Sequence, residues 1–174
     1  MDDSVTLVRM ADPLVDFWDL NVGSVLDWGS DISPSRVVPE GHNMELFARM
    51  RKATQKPVVG VSRWTNPDLM AQAVRSGFID IVGSARQSIA DPFFPQKVYE
   101  GRVEDIRECM GINHCISSLD RGNMGCAQNA TAGEEYRRDW HPERFEPLER
   151  PDVSVLVVGA GPAGLEAAIG LAKR

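Results

Sequence analysis

Cysteine and histidine are scarce, three of each in 174 residues, and acidic residues outnumber basic ones. An odd cysteine count without a secretory signal argues against a disulfide framework. With 19 Lys and Arg against 25 Asp and Glu, the net charge is −6. No basic surplus is left to neutralise phosphates, so a nucleic-acid surface or a polybasic membrane anchor is not expected. Internal repeats and low-complexity tracts are absent. The opening Met1-Asp2-Asp3-Ser4 has neither a basic nor an apolar segment. No signal peptide is therefore expected, and the expected location is cytoplasmic. Ser154–Ala172 has 19 residues and one charge, Glu166, close to the length of a bilayer helix. Four glycines and Pro162 interrupt it, so a strand–turn–helix unit accounts for it better than a membrane span.

What is present is the composition of a globular protein, 43% hydrophobic and 25% charged. Alternation over Val15–Gly23 predicts a strand. Asn43–Lys52 sets Met44, Phe47, Ala48 and Arg51 on one helical face. Pro57–Val61 reads as a strand buried on both faces. Asn66 as cap, Pro67 at the first helical position and Gly77 after the last turn delimit a helix. Phe78–Gly83 reads as another strand and Asp91–Glu100 as a short helix. This alternation predicts parallel βαβ units, too few to close a barrel. Val153–Val158 predicts one more buried strand, leading into Gly159–Gly164 and a helix. Both ends are expected to be cut. Residues 1–106 then form the end of one domain, 107–150 a cysteine-bearing connector, and 151–174 the start of another.

Gly159, Gly161 and Gly164 form a GxGxxG pattern in the strand-to-helix context that a dinucleotide requires. The first serves the turn, the second backbone approach to a pyrophosphate, and the third close helix packing. A glycine-rich packing turn is the alternative. Gly60-Val61-Ser62-Arg63 and Gly83-Ser84-Ala85-Arg86 each set an arginine three residues after a glycine at a strand end. In barrels, such loops commonly hold a phosphate; tight packing with solvated arginines is the other reading. Cys109, Cys115 and Cys126 suit an iron–sulfur cluster, zinc with His114 as a fourth ligand, or inert buried thiols. Asp31, after the turn Trp28-Gly29-Ser30, reads as a catalytic group or a loop cap, and Trp28 as pocket wall or core.

Several blocks resemble the trimethylamine/dimethylamine dehydrogenase family: Cys109–Ser117, Cys126–Arg138, Trp140–Glu143, Trp28–Asp31 with Pro34–Arg36, Ala85–Pro92 and Gly159–Gly164. The resemblance covers nearly the whole chain, and Gln128–Arg138 is its most specific part. It implies an α/β fold: the last strands of an FMN-binding (β/α)8 TIM barrel, an iron–sulfur cysteine loop, and the first βα unit of a Rossmann-like domain. That domain would bind ADP, or FAD or NAD(P), through Gly159, Gly161, Pro162, Ala163 and Gly164. The implied activity is amine oxidation or N-demethylation at FMN, with electrons leaving through the cluster to an electron-transfer flavoprotein. On this resemblance Asp31 is the active-site aspartate and Trp28 holds an alkylammonium by cation–π attraction. Gly60, Arg63, Ser84, Ala85 and Arg86 contact FMN, and Cys109, Cys115 and Cys126 bind the cluster.

Two positions depart from the family pattern. Ile112 stands where a further cysteine belongs, which implies a three-iron cluster, a water or protein-oxygen ligand, or no cluster. Leu119 stands where a tryptophan belongs, which points away from trimethylamine and towards a larger substrate such as an N-methyl amino acid. The alternatives are a 2,4-dienoyl-CoA-reductase-like enzyme using NADPH, or a fragment without catalysis. The chain alone is expected to be inactive and the full-length protein to be a homodimer.

Overall fold

A computed structural model describes residues 2–23, 32–147, 149–150 and 152–174. It divides into two compact units, Met1–Gly133 and Glu134–Arg174. The first is built on a parallel three-stranded sheet in the order β1-β2-β3, with β1 Trp18–Leu20, β2 Val58–Val61 and β3 Ile81–Gly83. Trp18 pairs with Val58 and Val59 with Ile81. Helix α1 (Asp2–Ala11) precedes the sheet, and α2 (Met44–Arg51) and α3 (Pro67–Arg75) are its crossovers.

The centre strand β2 buries Val58 and Gly60. Phe47, Val58, Trp64, Met70, Ala73 and Ile79 form the core. A Cβ on Gly60 would meet Ile79 Cγ2 at 2.5 Å and Phe47 Cε2 at 3.1 Å, so the bare Cα is what lets α2 and the β3 approach close on the strand. Register is also fixed by charge. Asp80 accepts from Arg51 Nη1 at 2.8 Å and from the Val58 amide at 2.8 Å.

Helix α3 begins as expected. The Asn66 side chain accepts from the Asp68 and Leu69 amides, Pro67 follows, and Gly77 sits at φ +74° after the last turn. The strands expected at Val15–Gly23 and Phe78–Gly83 are shorter, because only Trp18–Leu20 of the first and Ile81–Gly83 of the second find ladder partners. Beyond β3 the chain enters α4 (Ala85–Ala90), which the sequence did not announce, then α5 (Phe94–Tyr99) and, in the cysteine segment, α6 (His114–Ser117).

The second unit contains α7 (Glu135–Arg138) and α8 (Pro162–Ala172). Glu134 accepts from Arg137 and Arg138, and the Arg138 guanidinium lies 4.8 Å above the Trp140 ring. The buried strand expected over Val153–Val158 is not found: the segment is unpaired, with Leu156 87% and Val158 89% exposed. A strand needs a neighbour's N–H and C=O groups, and none of the described residues supplies them. No helix among the described residues is long and apolar enough to cross a membrane.

Candidate functional site

Parallel strands in barrel and open α/β architectures present their chemistry at their C-terminal ends. A cavity of about 240 Å³ opens there, lined among others by Asn21, Ser62, Arg63, Ser84, Ala85 and Arg86. Arg63 is its most unusual wall. Its backbone is left-handed, at φ +53°, an uncommon conformation for a residue with a side chain. Its side chain is only 9% exposed, and its nearest counter-charge, Glu40 Oε1, is 4.0 Å from Nη2. Both Nε and Nη1 are buried without a hydrogen-bond partner among the described residues. Buried donors are almost always satisfied, and a guanidinium left open in a cavity is suited to an anion with several oxygens.

Glu40 is already committed. It accepts from the Thr65 amide at 2.7 Å, the Asn66 amide at 2.9 Å and the Thr65 hydroxyl at 2.6 Å. Burial opposes its ionisation, but these donors and Arg63 hold its carboxyl below the usual range. Glu40 therefore stays charged and fixes the Arg63 loop.

Gly60 is not on the cavity wall; its bare face is turned to Ile79 and Phe47 in the core. Gly83, Ser84 and Ala85 line the cavity instead, with the Ser84 hydroxyl donating to the Trp64 carbonyl at 3.1 Å. Asp31 and Trp28 lie outside the described residues.

A second, small cavity is lined by Cys109, Cys115 and Cys126 together with Ile112, His114 and Arg86. The three sulfurs are free thiols, with Cys115 buried and the others half-buried. Burial, and then the neighbouring Cys109, push the Cys115 thiol up, while Arg86 draws it back down. Among the described residues no set of three or more His, Cys, Asp or Glu is arranged to hold a single metal ion. Zinc with His114 thus gains no support from the geometry. A cluster, whose thiolates bind different irons of one inorganic core, spans a wider opening than one ion.

Arg86 and Cys109 line both cavities. Arg86 Nη1 donates to the Pro34 carbonyl at 2.9 Å and to Asn113 Oδ1 at 2.5 Å. Burial lowers the Arg86 pKa, with Cys109 and Cys115 opposing that shift.

Side-chain amides, two of them buried, hold the cysteine segment. Gln87, 1% exposed, donates to the Arg107 carbonyl at 3.0 Å and accepts from the Cys109 amide at 2.8 Å. Asn129, also 1% exposed, donates to the Ile89 carbonyl at 2.9 Å. Asn113, at φ +58°, donates to the Ser33 carbonyl at 2.6 Å. A Cβ on Gly111 would come within 2.8 Å of the Arg36 amide nitrogen, so this loop lies directly on the Arg36 backbone. Sequence reading missed all three amides, since an isolated Asn or Gln carries no local pattern.

In the second unit Gly159 adopts φ +114°, and Gly161 caps α8 with Pro162 at the first position. No side-chain cap and no acidic residue occupies the first turn of α8, which leaves its amides available to an anion. A Cβ on Gly164 would lie 2.0 Å from the Gly159 carbonyl oxygen. Because the obstacle is backbone, Gly164→Ala must displace the turn. We expect a cost of about 3 kcal/mol in stability, the upper part of the range for overpacking, read as a lower melting temperature of the full-length protein. An unchanged melting temperature would show that the close approach of Gly164 to the Gly159 carbonyl is not structural.

Comparison with known proteins accords with this arrangement. The chain is 51% identical over 175 residues to dimethylamine dehydrogenase of Hyphomicrobium sp. (strain x), covering 99% of this chain and 24% of that protein. Among solved structures it resembles histamine dehydrogenase from Rhizobium sp. 4-9 (46% identity, TM-score 0.89, 99% of this chain and 25% of that one). It also resembles 6-hydroxypseudooxynicotine amine oxidase from Pseudomonas geniculata N1 (44%, TM-score 0.90, 98% and 25%). The chain spans about a quarter of the length of these relatives. Residues 1–105 match the NADH:flavin oxidoreductase / NADH oxidase family, and the chain belongs to it.

Proposed function

We propose that the chain is the portion of an FMN- and iron–sulfur-dependent amine dehydrogenase that joins the end of a flavin-binding barrel (1–106) to a nucleotide-binding domain (151–174) through the cysteine connector (107–150). The observation that carries the reading is Arg63, a buried cation with two unsatisfied donors, in a cavity that shares Arg86 and Cys109 with the thiol cavity.

Arg63 and Arg86, with the Ser84–Ala85 backbone, bind the FMN phosphate. When bound, the flavin supplies the two-electron acceptor for the amine C–H bond. Cys109, Cys115 and Cys126 hold the cluster, and Cys109 is the thiolate on the flavin side. Trp28 faces the alkylammonium by cation–π attraction, and Asp31 orients or moves a proton on the substrate side. Gly159, Gly161, Pro162, Ala163 and Gly164 cradle the diphosphate of ADP, FAD or NAD(P). The electron acceptor is an electron-transfer flavoprotein. The substrate is a secondary or tertiary methylated amine larger than trimethylamine, because Leu119 offers no aromatic face to a cation.

Anaerobic titration of the full-length protein tests this reading. An N-methyl amino acid is expected to bleach the flavin absorption, with NADPH inert. Bleaching by NADPH alone would move the protein to the thioester ene-reductase class.

A further inference from the structure

Iron–sulfur clusters are ordinarily held by four cysteine thiolates, and the thiol cavity here has three. The remaining lining holds no fourth thiolate and no carboxylate. Ile112 is a hydrocarbon. Both polar atoms of the Asn113 side chain are engaged, Nδ2 with the Ser33 carbonyl and Oδ1 with Arg86. Gln128 Nε2 donates to the Glu108 carbonyl at 3.1 Å. The His114 ring is packed on Gly125, where an added Cβ would fall 2.8 Å from Nε2. Ile112 is 59% exposed, so its side of the cavity is also the side that solvent reaches.

We propose that Ile112 leaves one corner of the cluster without a protein thiolate, completed by a solvent-derived ligand and therefore exchangeable. This rests on the three cysteines holding a cluster, as proposed above. The consequence is chemical: one ferrous ion can leave and return while three irons and the sulfides stay bound, with no electron transferred. The same corner admits a small exogenous thiolate, which a fully cysteine-ligated cluster would exclude.

Iron and sulfide counts on the anaerobically purified full-length protein provide the test, before and after a water-soluble ferrous chelator. About one iron in four is expected to leave with sulfide retained, and mercaptoethanol is expected to slow that loss at least ~10-fold. Ile112→Cys is expected to retain all its iron under the same treatment. If the variant fails to fold, the mercaptoethanol arm on the wild-type protein still decides. Iron that resists the chelator in the wild type, or leaves with its sulfide, would overturn the inference while the cluster stands. Absence of iron and sulfide from every sample would instead remove the cluster itself.

Discussion

Arg63→Met in the full-length protein is expected to purify largely without FMN. A charge-assisted hydrogen bond contributes about 1.5–3 kcal/mol, and Arg63 has two buried donors without partners among the described residues, Nε and Nη1. Losing both would cost about 3–6 kcal/mol of cofactor affinity, a fall of roughly 10²- to 10⁴-fold. In the flavin-free protein the effect has the opposite sign. There the guanidinium is a buried charge with only a distant carboxylate, 4.0 Å away, and methionine removes that desolvation cost. The variant should thus melt higher than wild type without FMN and lower than wild type with FMN in excess. Arg63→Lys keeps the charge but loses the planar fork, and should recover part of the affinity. Destabilisation in both states would mean that Arg63 serves packing. Equilibrium dialysis for FMN and melting curves with and without it provide the measurements.

Lys97→Met is expected to be the most damaging substitution away from the cavities. The Lys97 ammonium, 2% exposed, donates to Asp91 Oδ2 at 2.7 Å and to the Asp105 carbonyl at 2.9 Å, and Asp91 is fully buried. Removing one partner strands the other charge, at a cost of about 3–5 kcal/mol. The same carboxylate accepts from the Arg107 amide at 3.0 Å, so the lost alignment extends towards Cys109. Denaturant titration of the full-length protein would show the loss, and Asp91→Asn with Lys97→Met should restore part of it. If Lys97→Met unfolds at the wild-type denaturant concentration, the pair is not structural.

Acid adds a second signature of this pair. Burial opposes ionisation of Asp91, but Lys97 and the Arg107 and Phe93 amides hold its carboxyl below the ordinary range. A folded-state pKa below the unfolded one stabilises above the unfolded value, near 4 for aspartate, and that contribution fades as pH falls below it. The wild type should lose this increment on acidification. Asp91→Asn, weaker at neutral pH, should show a flatter acid limb.

Local rules made much of the first unit legible in the sequence. Asn66, Pro67 and Gly77 delimit α3 as their chemistry requires, and the apolar run at 57–61 became the centre strand, although only the Val58 and Gly60 face is fully buried and Val59 and Val61 are half-buried. Local rules failed where the partner is remote. Val153–Val158 has the composition of a strand, but composition cannot supply a neighbour. Gly60 looked like a phosphate glycine because it stands at a strand end, yet the pleat turns it towards Phe47 and Ile79. Gln87, Asn113 and Asn129 were invisible for a related reason: Asn113 reaches a carbonyl 80 residues earlier in the chain, a distance at which spacing carries no signal. Arg63 was found from its distance to a glycine, whereas its unsatisfied donors could be seen only in three dimensions.

The reach of Asn113 to Ser33 also bears on how parts of such proteins can be exchanged. One amide side chain holds the thiol loop, through Arg86 and Ser33, to the backbone that directly follows Trp28 and Asp31. Segments 107–133 and 32–36 therefore behave as a single heritable block. A chimera importing the thiol loop from a relative should fold that loop well only when the short upstream stretch is transplanted with it.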